Sequence, residues 1–332
     1  MKNSVKRTTL VMSALIFSFQ LCMAQTQTSA TIPEERGVAK ANNLSIAYER
    51  FGKENDRTII LIQGTGAQMI LWPDKLCREL AGKGYSVIRF DNRDIGLSSK
   101  LDTLGMPDWP GIIALIGTCD ESKLPYTLLD MAKDVIGLMD ALQVNKAHIV
   151  GASMGGAIAQ LIAIHYPDRI LSLTSMMSSS GNPKSVPGDP EVLKLMGTPP
   201  PQTNNQDSLV SYLVNIYKAM GGPAHPTPDN KLKDMARKSV QRSWYPMGSA
   251  RQAAAVIIGD NCDRRALLKN IKVPTVVVHG ESDPVVNVEA GRELARAIPN
   301  SKFISIAGMG HDLPETLTSQ FANAIITAAT KK

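Results

Sequence analysis

A serine with glycine two residues away on each side, Gly151-Ala152-Ser153-Met154-Gly155, is where residue type and spacing in this chain first suggest covalent chemistry. It follows the short apolar run Ala147-His148-Ile149-Val150 and precedes the small and apolar residues from Gly156 to Ala163, which read as a helix. A serine in so tight a strand-to-helix turn is forced into a sparsely populated backbone conformation that only small neighbours tolerate. The turn also sets the Met154 N–H at a helix N-terminus, where partial positive charge favours a developing oxyanion. Ser153 is therefore the candidate nucleophile and Met154 a candidate oxyanion donor. The pentapeptide is common in proteins, so a base, an acid and a second donor must be found elsewhere.

The run Val273-Pro274-Thr275-Val276-Val277-Val278 leads into His279-Gly280-Glu281-Ser282-Asp283-Pro284, setting an acid just past the carboxyl end of a buried parallel strand. Asp283 is the orienting carboxylate we select; Glu281 is its near competitor, and a turn aspartate before proline is the plainer alternative. After the next strand-like run, Lys302 to Ile306, comes Ala307-Gly308-Met309-Gly310-His311-Asp312. Of the five histidines, His148 lies in the strand before the serine, His165 ends the helix after it, and His225 sits in a proline-rich insertion. His279 reads as a structural histidine behind the acid loop, which leaves His311 as the base. The chain order Ser153, Asp283, His311 is one of the known orders for triad chemistry. In that chemistry His311 takes the hydroxyl proton as Ser153 attacks a carbonyl and returns it to the leaving group, while Asp283 fixes the imidazole tautomer. The second oxyanion donor is assigned by position to the Thr65 N–H, in the glycine turn that ends Ile59-Ile60-Leu61-Ile62-Gln63-Gly64-Thr65-Gly66. A phosphate loop would need a lysine before Ser/Thr, and none follows.

With these residues in view, the chain from about 40 to 330 resembles the α/β-hydrolase superfamily. The runs Leu71-Trp72-Pro73-Asp74 and Ile88-Arg89-Phe90-Asp91-Asn92-Arg93-Asp94-Ile95-Gly96-Leu97-Ser98 are similar to the aclacinomycin methylesterase type, which cleaves esters on polyketides and has macrolide esterases among its relatives. The resemblance implies an α/β fold with a mainly parallel central sheet, helices on both faces and a helical cap. It implies Ser153, Asp283 and His311 as triad, Met154 and Thr65 as oxyanion donors, and a mainly structural role for Asp91, Arg93 and Gly96. The chain departs from the family at Gln63, where many members have histidine. Haloalkane dehalogenases and epoxide hydrolases of this fold use aspartate at the elbow and dienelactone hydrolases cysteine, so Ser153 points to acyl transfer to water. The expected substrate is a hydrophobic ester or macrocyclic lactone, with macrolide antibiotic inactivation as one form. The alternatives are a short-chain carboxylesterase, an acyl homoserine lactonase, a carbon–carbon bond hydrolase or a non-catalytic binding protein of this fold. No cofactor is implied, and no metal-ligand spacing is present.

The elements that must position these residues alternate along the chain. Strands are expected at 44 to 50, 58 to 62 and 85 to 90, with helices at 74 to 81 and 128 to 142, the latter opened by a Thr127/Asp130 capping box. We divide the chain into a signal peptide at 1–24, a polar lead-in at 25–40, a hydrolase core at 41–180 and 263–332, and a cap at 181–262 with helices near 206 to 220, 229 to 242 and 249 to 259. Leu213, Ile216, Tyr217, Met220 and Trp244 read as cap core, and the apolar loop from Met106 to Ile113 as a second pocket candidate. Residues 1–24 combine Lys2, Lys6 and Arg7 with an apolar run from Leu10 to Leu21 that is short of the ~20 residues a membrane span needs. Export to the periplasm or medium is expected, with no stable membrane span. Removing that segment lowers Lys+Arg from 36 to 33 against 30 Asp+Glu, leaving about +3, and no basic run carries interleaved aromatics, which argues against nucleic acid. Three cysteines then remain: Cys77 in a helical stretch, read as a buried apolar residue, and Cys119 and Cys262, the likeliest to pair because both lie in surface insertions.

Overall fold

A computed structural model describes residues 34–331. The expected signal peptide and most of the polar lead-in lie outside the described residues. Eight strands form one sheet: β1 (Glu34–Ala41), β2 (Leu44–Phe51), β3 (Thr58–Ile62), β4 (Ser86–Phe90), β5 (Ala147–Ala152), β6 (Ile170–Met176), β7 (Thr275–Gly280) and β8 (Lys302–Ile306). Their order is β1-β2-β4-β3-β5-β6-β7-β8. β2 is antiparallel to β1 and β4, and every later pairing is parallel. The helices are α1 (Asp74–Gly82), α2 (Trp109–Ile113), α3 (Leu128–Ala141), α4 (Met154–His165), α5 (Pro190–Met196), α6 (Gln206–Met220), α7 (Asp229–Arg242), α8 (Pro246–Gly259), α9 (Arg265–Leu268), α10 (Val288–Ala297) and α11 (Thr318–Thr330).

Strand β3 explains why the sheet is covered on both sides. Successive side chains point to opposite faces, and all of Thr58–Ile62 is buried. Ile60 and Ile62 pack in a cluster with Val135 of α3, Ile158 of α4 and Leu294 of α10. Ile59 and Leu61 face a second cluster with Leu76 and Leu80 of α1 and Phe321 and Ile325 of α11. The Thr127/Asp130 capping box is formed, both reciprocal bonds at 3.1 Å, and fixes the start of α3.

Two local readings need correction. The polar lead-in ends before Glu34, because Glu34–Ala41 is an edge strand paired with β2 along its length. Asn42 and Asn43 both adopt positive φ, 50° and 62°, and make the two-residue hairpin turn. One side of an edge strand meets solvent, so its composition is as polar as that of a linker. The apolar stretch near Met106 contains a short helix, α2, capped by the Asp108 side chain accepting from the Gly111 N–H at 3.3 Å. Ile112 is buried against Ala254 and Ile258 of α8, while Ile113 and Met106 face solvent.

Helices α5 to α8 fall between β6 and β7, where the cap was expected, and α5 is an addition to the three helices read from sequence. Leu209, Val210, Ala236 and Val240 form the cap core with partly buried Leu213, Tyr217 and Trp244. Helix α8 starts at Pro246, three residues earlier than expected, and its Ala255 joins the large core cluster under the sheet. Cys119 and Cys262 are disulfide-bonded, tying the segment after α2 to the end of α8, and Cys77 is a buried free thiol that burial pushes up to about 12.

Candidate active site

Strand β5 runs directly into Ser153, whose backbone is at φ 55° and ψ −121°, and α4 begins at the next residue. This left-handed conformation is costly for a side chain bearing a Cβ and persists only where the surroundings enforce it. Here the Ser153 N–H donates to the Met176 carbonyl at 3.0 Å and its carbonyl accepts from the Gly156 N–H at 2.8 Å. The flanking glycines are required by contact: a Cβ on Gly151 would lie 1.9 Å from the Gly155 carbonyl oxygen, and one on Gly155 would lie 2.1 Å from that of Ile62.

Asp283 stands in the turn after β7. Its Oδ1 accepts from the backbone N–H groups of Val285 and Val286, both at 2.9 Å, so the carboxylate is oriented by its own loop. Its Oδ2 lies 2.8 Å from His311 Nδ1. Since a carboxylate can only accept, Nδ1 carries the hydrogen and Nε2 presents its lone pair. That nitrogen is 3.0 Å from Ser153 Oγ. The loop after β8 that carries His311 is anchored through its own N–H, which donates to the Met220 carbonyl at the end of α6 at 2.8 Å. The three side chains thus form a continuous relay at the carboxyl ends of β5, β7 and β8. Burial raises a carboxyl, but at Asp283 the His311 charge and the hydrogen bonds from His279 and His311 outweigh it and hold the group well below the usual range.

Three of the other histidines are engaged elsewhere, and His165 at the end of α4 is exposed. His148 Nδ1 lies 2.9 Å from Ser172 Oγ, and His225 Nε2 lies 3.2 Å from the Ala307 carbonyl. His279 is fully buried, donates from Nε2 to the Val286 carbonyl at 2.8 Å, and lies 3.3 Å from Asp283 Oδ2. It meets the same Asp283 oxygen as His311 does. Glu281 is exposed.

The Met154 N–H is the first in α4 and has no partner within the helix. The turn after β3 approaches from the other side: a Cβ on Gly64 would be 3.1 Å from Ser153 Cβ. Within that turn the Gly64 N–H donates to Gln63 Oε1 at 2.9 Å and the Gly66 N–H to Gln252 Oε1 at 2.8 Å. The amide between them is that of Thr65. Gln63, the departure from the family's histidine, folds back on its neighbour and closes the turn locally. Gln252 was not legible as a site residue, since nothing in the α8 sequence marks it. The neighbouring Asp312 was also passed over: burial pushes its carboxyl up to about 7 against the pull of His311, and its Oδ1 has no hydrogen-bond partner. Among the described residues no three His, Cys, Asp or Glu side chains cluster in a way that could hold a metal ion.

A serine in a strained strand-to-helix turn with an imidazole nitrogen 3.0 Å from its hydroxyl is an arrangement suited to forming and collapsing a tetrahedral oxyanion. The fold and this arrangement define an α/β hydrolase. The chain belongs to the α/β hydrolase fold family, whose model matches residues 57–316. It is 26% identical over 306 residues to rhodomycin D methylesterase DnrP of Streptomyces peucetius, an alignment covering 86% of this chain and 94% of that protein. Among solved structures it is similar to the enol-lactonase from Burkholderia xenovorans, with a TM-score of 0.66 at 22% identity over 89% of this chain and 100% of that one. A meta-cleavage product hydrolase from Pseudomonas fluorescens has a TM-score of 0.68 at 19% identity, covering 89% and 97% of the two chains.

Proposed function

We propose that this protein is a serine ester hydrolase in which Ser153 is the nucleophile, His311 the general base and acid, Asp283 the orienting acid, and the N–H groups of Met154 and Thr65 the oxyanion donors. The observation that carries this reading is the unbroken relay from Asp283 Oδ2 to His311 Nδ1 at 2.8 Å and from His311 Nε2 to Ser153 Oγ at 3.0 Å. Ser153 attacks the ester carbonyl as His311 takes its proton, and the negative oxygen is held by the two amides. His311 then protonates the departing alkoxide, leaving an acyl-enzyme. Water, deprotonated by His311, attacks that acyl group and releases the acid and free Ser153.

The substrate we propose is a hydrophobic polyketide ester or a macrocyclic lactone, with inactivation of a macrolide antibiotic as one form. Its support is the likeness to rhodomycin D methylesterase and a helical cap beside the serine. The second reading, carbon–carbon hydrolysis on the same triad, draws on the likeness to the meta-cleavage product hydrolase. We also read the protein as exported, from the basic and apolar leader at 1–24 together with the Cys119–Cys262 disulfide.

The test is labelling with a fluorophosphonate followed by peptide mapping, alongside aryl ester hydrolysis by the parent and Ser153→Ala. The expected outcome is one label at Ser153 and a loss of about 10³-fold or more in kcat in the variant. A variant that hydrolyses aryl esters as fast as the parent overturns the reading.

A further inference from the structure

We propose that Gln252, a cap residue far from Ser153 in sequence, is a positioning residue for the oxyanion site. Gly64 to Ala67 form a tight turn closed by the Ala67 N–H donating to the Gly64 carbonyl at 3.3 Å, with Gly66 in its third position at φ 69°. A turn with positive φ at that position turns the N–H of its central peptide outward. That outward N–H, of Gly66, is accepted by Gln252 Oε1 at 2.8 Å. The same amide group donates from Nε2 to the Arg93 carbonyl at 2.8 Å. Gln252 is fully buried, and its bond to the Arg93 carbonyl is made out of contact with water.

The far end of this bridge does not move freely. Arg93 forms a two-pronged bond to Asp134 of α3 at 2.5 and 2.7 Å. The residue before Gln252, Arg251, is bonded to Asp94 by two contacts at 2.8 and 2.9 Å. One turn of α8 therefore grips two consecutive residues after β4 and reaches across to the turn after β3. Fixing the Thr65–Gly66 peptide plane fixes the residue whose own N–H faces the reacting oxygen. An oxyanion donor works only when its direction is set before the charge develops, and small displacements are costly. This assignment rests on the proposed role of Thr65 and goes beyond it: the cap completes the oxyanion site as well as covering it.

The experiment compares the parent, Gln252→Met, Gln252→Glu and Tyr245→Phe for kcat and KM on an aryl ester and for inhibition by a trifluoromethyl ketone, which forms a tetrahedral oxyanion on the serine. Met keeps the volume and removes both bonds; Glu keeps an acceptor for Gly66. Tyr245 pins the same helix by its hydroxyl bonding Asp102 and Arg251, away from the Gly66–Gln252 bond. Gln252→Met is expected to lower kcat about 10- to 100-fold with KM within about threefold, and to weaken the ketone by a similar factor. Gln252→Glu is expected to lose less, and Tyr245→Phe to keep the parent kcat. If Gln252→Met does not fold, Gln252→Asn, one methylene too short to reach both groups, carries the same expectation. A loss confined to KM, ketone affinity unmoved while kcat falls, or an equal loss in Tyr245→Phe overturns the inference. A parent that neither labels with fluorophosphonate nor hydrolyses esters overturns the proposed function, and this inference with it. A labelled, active parent with indifferent Gln252 variants overturns this inference alone.

Discussion

Asp283 divides its two oxygens between distinct tasks: Oδ1 is bound by the Val285 and Val286 amides, and Oδ2 faces both His311 and His279. The first pair locks the carboxylate in place and the second sets which nitrogen of His311 carries the proton. Asp283→Asn can retain the geometry yet offer an N–H where an acceptor is needed, stabilising the wrong tautomer. It is expected to lower kcat by about 10³- to 10⁴-fold with little change in the far-UV spectrum; a loss below tenfold would remove Asp283 from the triad. Asp312, the next residue after His311, presents the opposite case of a carboxyl whose protonated form burial favours. Its folded pKa of about 7 lies above the ordinary unfolded value of about 3.9. The folded state thus holds this proton more tightly, so its contribution to stability declines as pH rises from about 4 to about 7 and stays low above that. Asp312→Asn removes the decline. The variant's Tm relative to the parent is expected to be about 3–6 °C higher at pH 8 than at pH 5, measured by thermal unfolding. An equal difference at both pH values would contradict it.

At the scale of elements, what was legible followed from hydrophobic period and turn chemistry. The buried runs of β3, β5 and β7, the glycine-flanked serine and the Thr127 capping box are local patterns, and each could be read from a few adjacent residues. Edge strand β1 was missed because its exposed charges resemble a linker, although Asn42-Asn43 carried the hairpin signal. The clamps between cap and core were missed for a different reason. Gln68 donates to the Ser239 and Ser243 carbonyls, Arg242 pairs with Asp91 at 2.7 Å, and Arg251 pairs with Asp94. These partners lie far apart in sequence and follow no period. The disulfide is the covalent member of this set, joining residues 143 apart. Closing so long a loop restricts the unfolded chain, and native disulfides typically contribute about 2–4 kcal/mol. Cys119→Ser with Cys262→Ser is expected to lower Tm by about 5–10 °C, and reductant to lower the parent's Tm without affecting the variant. A parent indifferent to reductant would argue that the bond is dispensable.

At the scale of the whole molecule, the cap is fixed to the catalytic machinery at both ends. Gln252 and Arg251 hold the side near the oxyanion turn. On the other side the Met220 carbonyl accepts from the His311 N–H, and the Ala224 N–H donates to the Gly308 carbonyl at 3.2 Å. Raising the cap would therefore disturb the base loop and the oxyanion turn together. Among the described residues no helix is long and apolar enough to cross a membrane. Hydrolysis products distinguish the candidate acyl groups by mass. A macrocyclic lactone opened at its ester yields one product heavier by one water, whereas a polyketide methyl ester yields an acid and methanol. Carbon–carbon hydrolysis of an open chain gives two fragments, neither of which is a simple alcohol. Incubating the protein and Ser153→Ala with each class is expected to give serine-dependent water gain on a macrocycle or methanol release from a polyketide ester. Turnover confined to short aryl esters would reduce the protein to a general carboxylesterase, and serine-dependent cleavage of a vinylogous diketone alone would transfer the assignment to carbon–carbon chemistry.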